Sequence, residues 1–408
     1  MTDDPPQIAF VVQRYGADVT GGSESLARAV AERLSASHRI TVFTTCARDY
    51  VTWRNELPEG VEESGGVRIR RFRVEEERDL QAFNAFSERL YDRPHSPEDE
   101  SAWLRRQGPY VPRLVEALGD EKDRFAAVVF FTYLYYPTCE GLKVAPERSI
   151  LVPTAHDEPP LRFGLYRETF ALPRAFAFLT RAEERLVRDR FDLSAKPALV
   201  AGMGVDVPPS PDVQGFRTRH RLGRPYLLYA GRIDAGKGCA EMLAFFDRYR
   251  QTRDAAGAAP VDLVLIGRLA LAQVPGSEQG VHYLGYLPEE EKSAAIAGAR
   301  AVVCPSAYES LSIVLLEGLA AGVPGLVNAH SPVLKDHSLG SNAALYYEGS
   351  EEFTEALSLL AGDDALCAAL GANGIAYVRD VYGWDAVLDR WRGLLAAVSG
   401  PLDGASRS

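Results

Sequence analysis

The sequence predicts an α/β protein with two doubly wound, Rossmann-like domains, each built on a parallel sheet. Three observations predict this fold class. Short apolar runs alternate with helical patterns along most of the chain, a Pro- and Gly-rich stretch at 202–211 interrupts the alternation, and the alternation then starts again. A length of 408 residues agrees with two domains, because it exceeds the size of one ordinary core.

The first domain is predicted over residues 1–204. Its first strand leads through a glycine-containing loop into an amphipathic helix at 24–36, and helical patterns separate most of the later strands. Residues 75–125 are charge-rich and too long for an ordinary connection, so they are predicted to form a helical insertion. The predicted strands are 8–13, 40–45, 67–73, 126–131, 149–153, 175–180 and 198–202.

The second domain is predicted over residues 205–382, with 202–211 as the linker. A last amphipathic helix at 383–400 carries an apolar stripe that includes Trp384 and Trp391, and we expect this crossover helix to pack back on the first domain. The predicted strands are 226–231, 261–267, 281–286, 301–305 and 325–329, and the predicted helices are 240–250, 289–299, 311–322, 353–360 and 365–381.

The composition is that of a soluble globular protein, with 46% hydrophobic and 25% charged residues. A net charge of −11 argues against a nucleic-acid partner but leaves room for a local basic anion site. The five cysteines lie far apart without a C-x-x-C pair, which predicts buried free thiols in a reducing compartment. No signal-peptide pattern and no apolar stretch of about 20 residues occur, so we expect a cytoplasmic protein.

An acidic pair brackets the start of one predicted helix in the second domain. Glu309 falls in the loop after the apolar run 301–305, and Glu317 falls inside the helix 311–322. A helix start suits an anion such as phosphate, and a carboxylate on either side of it suits the hydroxyls of flanking sugars. The layout therefore indicates a nucleotide sugar. The spacing alone is weakly specific, and two solvated glutamates explain it equally well.

A glycine-lined basic turn opens the second domain. Gly231 and Arg232 follow the strand 226–231, and Lys237 precedes another glycine five residues later. Because ligands bind at the carboxyl ends of parallel strands, Arg, Lys and backbone N–H groups here favour a diphosphate site over a merely solvated turn. The stretch lacks the glycine spacing and the Ser or Thr of a Walker loop, which disfavours ATP hydrolysis.

Two loops of the first domain are further candidates. Gly21 and Gly22 precede a helix whose predicted N-cap is Ser23, and paired glycines allow a ligand close to the backbone, although a plain tight loop explains them too. His156 follows a buried strand and precedes two acids and two prolines, which makes it a site candidate as well as an ordinary structural histidine. No second His or Cys lies at zinc-ligand spacing.

The strand 67–73 alternates arginine with apolar residues. A strand with a solvated basic face explains this pattern, and the alternative is a patch for an anionic or lipid-linked acceptor.

Taken in order, these motifs resemble those of the retaining nucleotide-sugar glycosyltransferases of family 4, which have the GT-B fold. The resemblance covers almost the whole chain, including Gly204-Val205-Asp206 at the linker and Trp384-Asp385 in the last helix. It implies two domains that face each other across a cleft. Two departures are a non-glycine segment at 330–337 and an elaborate Pro-Thr-Ala-His-Asp-Glu-Pro run at 153–159.

The resemblance also implies roles for individual residues. Arg232 and Lys237 would neutralise the diphosphate, Glu309 would bind the donor sugar, and Glu317 would bind the ribose. In the first domain, His156 would lie beside the reacting sugar carbon. The remaining donor-binding positions are Gly21, Gly22 and Gly231, the stretch Ser310, Leu311 and Ser312 with its phosphate-binding amides, and Gly267, Arg268, Tyr286 and Leu287 near the base.

The resemblance thus implies a metal-independent, retaining hexosyltransferase without a cofactor, whose co-substrate is a UDP- or GDP-sugar. No Asp-x-Asp element at a strand end argues for a metal. The acceptor is expected to be a small molecule, glycan, natural product or lipid-linked hydroxyl, with no nucleic acid and at most peripheral membrane contact. The alternatives are a GT-B-fold nucleotide-sugar epimerase and a non-catalytic nucleotide-sugar-binding module.

Overall fold

The computed structural model describes residues 5–19, 21–91, 93–193, 196–206, 210–255 and 259–399. Thr20 of the first glycine loop and residues 207–209 of the predicted linker therefore lie outside the described part. The chain divides into two compact units, one formed by Met1–Met203 with Leu388–Ser408 and the other by Gly204–Val387.

The first unit contains an eight-stranded sheet with the order β3-β4-β2-β1-β5-β6-β7-β8. The order turns back on itself at β1, as in a doubly wound fold, because the chain leaves β1 first toward β2 and later toward β5. The strands are β1 Gln7–Val11, β2 Arg39–Thr45, β3 Gly60–Ser64, β4 Val67–Phe72, β5 Ala127–Phe131, β6 Ser149–Val152, β7 Ala175–Phe178 and β8 Ala198–Val200. The helices are α1 Gly22–Leu34, α2 Leu80–Tyr91, α3 Pro97–Gln107, α4 Pro112–Glu121, α5 Tyr136–Leu142, α6 Leu165–Ala171 and α7 Arg181–Arg190.

The edge strand β3 is the one element of this sheet that the sequence did not predict. It pairs antiparallel with β4, whereas the other strand pairs of the sheet are parallel. Gly65 and Gly66 connect the two strands at φ of +58° and +74°, which are the left-handed angles of a tight hairpin turn. All five residues of β3 are exposed, so no apolar alternation marks it.

The arginines of strand β4 are not all solvated. The prediction of a solvated basic face is wrong for Arg71. This side chain is buried, donates to the carbonyl of Tyr15 at 2.7 Å and pairs with Glu62 at 2.6 Å. Arg70 lies over the rings of Phe43 and Phe72. Arg70 and Arg71 are thus engaged in packing within the unit, whereas Arg68 is exposed.

The second unit contains a six-stranded, all-parallel sheet with the order β11-β10-β9-β12-β13-β14. The strands are β9 Tyr226–Ala230, β10 Asp262–Ile266, β11 Val281–Tyr283, β12 Ala301–Cys304, β13 Gly325–Asn328 and β14 Ala344–Tyr347. The helices are α8 Val213–Arg219, α9 Cys239–Ala255, α10 Glu289–Ala297, α11 Ile313–Ala320, α12 Pro332–Ser341, α13 Ser350–Gly362 and α14 Asp364–Tyr377. Helices α8 and α12 and strand β14 were not predicted, and the strand predicted at 281–286 ends at Tyr283.

Short helices complete the described chain: 3₁₀ turns at Lys122–Arg124, Pro146–Arg148, Pro159–Arg162 and Ser277–Gln279, and a π turn at Val378–Tyr382. The last helix is α15 Trp384–Ser399. Its Trp391 is fully buried in the first unit, with ring centroids 6.5 Å from Phe10 and 6.4 Å from Phe131. The C-terminal helix therefore contributes to the core of the first unit, as its apolar stripe predicted.

The motif residue Gly204 has a packing role within the second unit. A side-chain carbon at this position would lie 2.1 Å from the indole of Trp384, and the amide of Val205 donates to the carbonyl of Tyr382 at 2.9 Å. Only glycine leaves room for this close approach.

The five cysteines are all buried and free, which confirms the prediction of buried free thiols. Among the helices that the structure describes, none has the length and apolar character needed to cross a membrane.

Candidate active site

The loop between β9 and α9 is held in place by its own hydrogen bonds. The hydroxyl of Tyr229 donates to the carbonyl of Arg232 at 2.7 Å, and Asp234 Oδ1 accepts the amide of Lys237 at 2.8 Å. Gly238 has a φ of +71°, and a side-chain carbon there would lie 2.4 Å from the carbonyl oxygen of Pro305. The loop therefore lies directly against the end of the neighbouring strand β12.

An ion pair joins two of the residues that the sequence singled out. Lys237 Nζ lies 2.8 Å from Glu309 Oε1, and the two side chains are 35% and 19% exposed. Lys237 belongs to the loop after β9 and Glu309 to the loop after β12, and these strands are paired in the sheet. Arg232 is half exposed and pairs with Asp234 in its own loop. A cation and a carboxylate thus lie together where parallel strands place ligands.

Helix α11 begins in an unusual way. Ser312 precedes its first residue with φ +62° and ψ +68°, a left-handed conformation that prevents the helix from starting at 311 as predicted. Its hydroxyl does not cap the helix but lies 3.7 Å from the sulfur of Cys304. Because no side chain caps this end, the first amides and the partial positive charge of α11 are available to an anion.

Glu317 lies on α11 and contacts helix α10. The sequence did not predict this contact. Its Oε1 is 2.8 Å from Lys292 Nζ of α10, and its Oε2 is buried without a hydrogen-bond partner in the described part of the chain. Burial raises the pKa of Glu317 although Lys292 lowers it. Burial lowers the pKa of Lys292, but Glu317 and Glu289 outweigh it, so its pKa is raised overall.

Glu317 also lines a cavity of about 240 Å³ between α10 and α11. The walls combine apolar side chains such as Ile296 and Ala320 with the carboxyls of Glu289 and Asp206. A carboxylate oxygen at the wall of such a cavity suits a ligand that combines apolar surface with a few hydroxyl donors.

The predicted base-binding residues lie on two connected loops. Gly267, after β10, has a φ of +129°, and a side-chain carbon there would lie 2.0 Å from the carbonyl oxygen of Gly231. Its amide donates to the carbonyl of Gly285 at 2.8 Å, which ties it to the loop that carries Tyr286 and Leu287. Tyr286 is 80% exposed. The carbonyl of the remaining residue, Arg268, accepts the amide of Ile233 at 2.9 Å.

In the first unit, a buried carboxyl group supports the loop that carries His156. Glu183 of α7 accepts the amide of Ala155 at 2.8 Å and that of Leu179 at 2.6 Å. Burial raises the pKa of Glu183 to about 7, although the backbone donors oppose the shift. In the structure Thr180 caps α7 three residues before Glu183, a Thr-x-x-Glu spacing typical of helix starts, but that spacing gives no sign of the contact with the loop of His156.

His156 itself is partly exposed. Its Nε2 lies 4.0 Å from Glu158 Oε1, and the same oxygen accepts the hydroxyl of Tyr133 at 2.8 Å. Its Nδ1 is buried and has no hydrogen-bond partner among the described residues. The imidazole is therefore about one third exposed, close to a carboxylate at Nε2 and without a hydrogen bond from the described residues at Nδ1.

The glycine loop before α1 is built on a buried ion pair that the sequence did not indicate. Arg14 lies 2.6 Å from Glu24, which also accepts from Gln13 at 2.9 Å. A side-chain carbon at Gly21 would lie 2.1 Å from Glu24 Oε2, whereas one at Gly22 would meet no atom of the described residues within 4 Å. Gly21 is thus required for packing, and Gly22 leaves the backbone open.

Comparison with known families bears on the second unit. Residues 212–377 match the glycosyl transferases group 1 family. The matched segment contains Arg232, Lys237, Glu309 and Glu317, so the ion pair between the loops after β9 and β12 lies inside it.

Two curated relatives from Mycobacterium tuberculosis are similar to parts of the chain. A glycogen synthase is 33% identical over 111 residues, which are 26% of this chain and 26% of the relative. An alpha-maltose-1-phosphate synthase is 28% identical over 181 residues, 41% of this chain and 46% of the relative. The chain thus spans between a quarter and a half of the length of these relatives.

Solved structures extend the likeness to both units. Sucrose-phosphate synthase from Thermosynechococcus elongatus is 18% identical and has a TM-score of 0.72, with 96% of this chain and 100% of that chain covered. At this identity the likeness concerns the fold alone. The chain has the GT-B fold, with two parallel-sheet α/β domains, which confirms the predicted fold class.

Proposed function

We propose that this protein is a metal-independent, retaining glycosyltransferase of family 4 that transfers a hexose from a UDP- or GDP-sugar to an acceptor hydroxyl. The observation that carries the proposal is the ion pair between Lys237 and Glu309 at the ends of two neighbouring strands of the segment that matches the group 1 family. The names of the relatives agree with it, because a glycogen synthase and an alpha-maltose-1-phosphate synthase both form glycosidic products.

The chemistry explains why a cation belongs at this place. Breaking the bond between the anomeric carbon and oxygen of the donor sends its electron pair to the diphosphate, which leaves with additional negative charge. Fixed positive charge on the leaving group lowers that barrier. A lysine ammonium has three N–H donors, so Lys237 can keep its contact with Glu309 and still donate to a phosphate oxygen.

We assign the other residues around the donor by the same proposal. Glu309 accepts hydroxyls of the donor sugar, and Glu317 accepts ribose hydroxyls through the oxygen that Lys292 leaves without a partner. Arg232 and the amides at the start of α11 supply further positive charge that faces the diphosphate. Retention follows when the acceptor oxygen attacks from the side of the leaving group and passes its proton to the departing phosphate.

For the first unit we propose the roles that the family resemblance implies. His156 lies beside the reacting sugar carbon, and Gly22 lets the phosphates approach the backbone. The surroundings of Gly22 support this role, because no residue that the structure describes comes within 4 Å of an added side-chain carbon.

The first experiment is a thermal-shift panel with UDP, GDP and ADP. We expect the matching diphosphate to raise the melting temperature most, because a ligand that binds only the folded state stabilises it by an amount that grows with the logarithm of its affinity. No shift with any of the three would overturn the proposal.

The second experiment measures turnover of the matching sugar nucleotide. Lys237→Met should lower the rate of diphosphate release by a factor on the order of 100, the loss typical of a group that stabilises transition-state charge. Lys335→Met is the matched control, because Lys335 is similarly exposed and forms a 3.4 Å ion pair with Glu348 in the same unit. An epimerised sugar nucleotide without acceptor would favour an epimerase instead, and unchanged turnover in Lys237→Met would contradict the assigned role.

A further inference from the structure

His337 is a buried histidine whose two ring nitrogens both have partners. It lies on α12, is 2% exposed and packs edge-on against the rings of Tyr377 and Tyr382. Its Nε2 is 2.9 Å from the carbonyl oxygen of Leu311, and its Nδ1 is 3.1 Å from the hydroxyl of Tyr377.

These partners define the form of the imidazole. A carbonyl oxygen can only accept, so Nε2 carries the proton and donates to Leu311. Nδ1 is then the acceptor for the hydroxyl of Tyr377. Burial lowers the pKa of His337 to about 4, so the ring is neutral at ordinary pH. His337 is thus a neutral donor aimed at one backbone carbonyl.

That carbonyl belongs to the peptide unit that leads into α11. The C=O of Leu311 and the N–H of Ser312 share one planar trans peptide, in which they point in opposite directions. By holding the carbonyl toward α12, His337 directs the amide of Ser312 away from α12. Ser312 has φ +62°, a left-handed conformation that is unfavourable for a non-glycine residue and persists only where its surroundings fix it.

We propose that His337 is a positioning residue that orients the Ser312 amide toward a donor phosphate, with Tyr377 as its support. The inference rests on the proposed function, because it assigns the start of α11 to the phosphate. His337 itself does not touch the ligand. Its contribution is to keep one backbone donor in place before the ligand binds, so that no reorganisation is needed on binding.

The test compares a ligand that has phosphates with one that lacks them. Affinities of the wild-type chain and of His337→Leu are measured by calorimetry for the diphosphate UDP, GDP or ADP that binds, and for the corresponding nucleoside. We expect His337→Leu to bind the diphosphate on the order of tenfold more weakly, as for the loss of one hydrogen bond to a charged group. The nucleoside affinity should stay unchanged.

A matched control lies next in the chain. Ser338 is equally buried on α12, but its hydroxyl donates to the carbonyl of Ala344 at 2.6 Å, away from α11. Ser338→Ala should lower stability without changing either affinity. His337→Gln, whose amide nitrogen reaches toward the position of Nε2, should restore diphosphate binding, whereas His337→Asn, which is too short, should not.

The outcomes separate this inference from the proposed function. If the wild-type chain binds none of the three diphosphates, the proposed function fails. If it binds one and His337→Leu keeps the same ratio of diphosphate to nucleoside affinity, the positioning role is refuted while the proposed function stands. If His337→Leu does not fold, Tyr377→Phe tests the same point, because it removes the support at Nδ1. It should weaken diphosphate binding selectively, and an unchanged ratio there refutes the inference.

Discussion

Replacing Glu183 with glutamine should change how the stability of the first unit depends on pH. The carboxyl group is 1% exposed, and each of its oxygens accepts a backbone amide, from Ala155 at 2.8 Å and from Leu179 at 2.6 Å. Burial raises its pKa from 4.5 to about 7. A shift of this size corresponds to about 3 kcal/mol between the two protonation states.

The sign follows from proton binding. Between pH 4.5 and about 7 the folded chain keeps the proton on Glu183, whereas the unfolded chain releases it. Stability falls with rising pH wherever the folded state binds more protons, so this group lowers the free energy of unfolding across that window. From pH 5 to pH 8 we expect a loss of about 2–3 kcal/mol from Glu183 alone.

The assay is urea unfolding at pH 5 and pH 8, followed by tryptophan fluorescence. Three of the four tryptophans, Trp53, Trp103 and Trp391, lie in the first unit, so the signal reports mainly on it. Glu183→Gln should be less stable than the wild-type chain at pH 5, by about 1–3 kcal/mol, because its amide NH₂ opposes one buried backbone donor. The variant should also lack the decrease in the free energy of unfolding between pH 5 and pH 8 that Glu183 contributes.

Glu184→Gln is the control, because Glu184 is the next residue on α7 and pairs with Arg188 near the surface. Its pH dependence should match that of the wild-type chain. The reasoning is refuted if Glu183→Gln shows the same change in stability between pH 5 and pH 8 as the wild-type chain.

Two further predictions concern packing and charge. Trp391→Ala should lower the stability of the first unit by roughly 3–5 kcal/mol, because the indole is fully buried beside Phe10 and Phe131. A urea unfolding midpoint close to that of the wild-type chain would contradict this prediction. Lys292→Met should lower the stability of the second unit by about 3 kcal/mol, because it leaves the carboxylate of Glu317 buried without its cation. Differential scanning calorimetry measures this loss, and an unchanged unfolding transition would contradict the prediction.

Much of the fold could be predicted because burial and sequence pattern coincide in parallel sheets. Strands such as β5 Ala127–Phe131 and β12 Ala301–Cys304 are buried along their whole length and read as continuous apolar runs. The exposed strand β3 Gly60–Ser64 lacks that pattern, since its stability comes from pairing with β4 and from the Gly65-Gly66 turn. Its sequence alone therefore could not reveal it.

The site was predictable to the extent that it depends on strand ends. Lys237 and Glu309 follow two strands that a doubly wound sheet places side by side, and the structure brings them into contact. Lys292 and His337 could not be found in this way, because their contacts depend on which helix faces pack together. Neither residue belongs to a motif with fixed spacing, and His337 lies 26 residues after the carbonyl that it holds.

The two units support their candidate loops by the same physical means. Glu183 holds the loop after β6 through two backbone amides, and His337 holds the loop after β12 through one backbone carbonyl. Burial favours the neutral form of each group, because it raises the pKa of the acid Glu183 and lowers the pKa of the base His337. A neutral group suffices to orient a peptide, since it needs only a hydrogen bond. In the loops after β9 and β12 the charges are carried instead by the partly exposed residues Lys237 and Glu309, where an anionic ligand can meet them without the full cost of desolvating a buried ion.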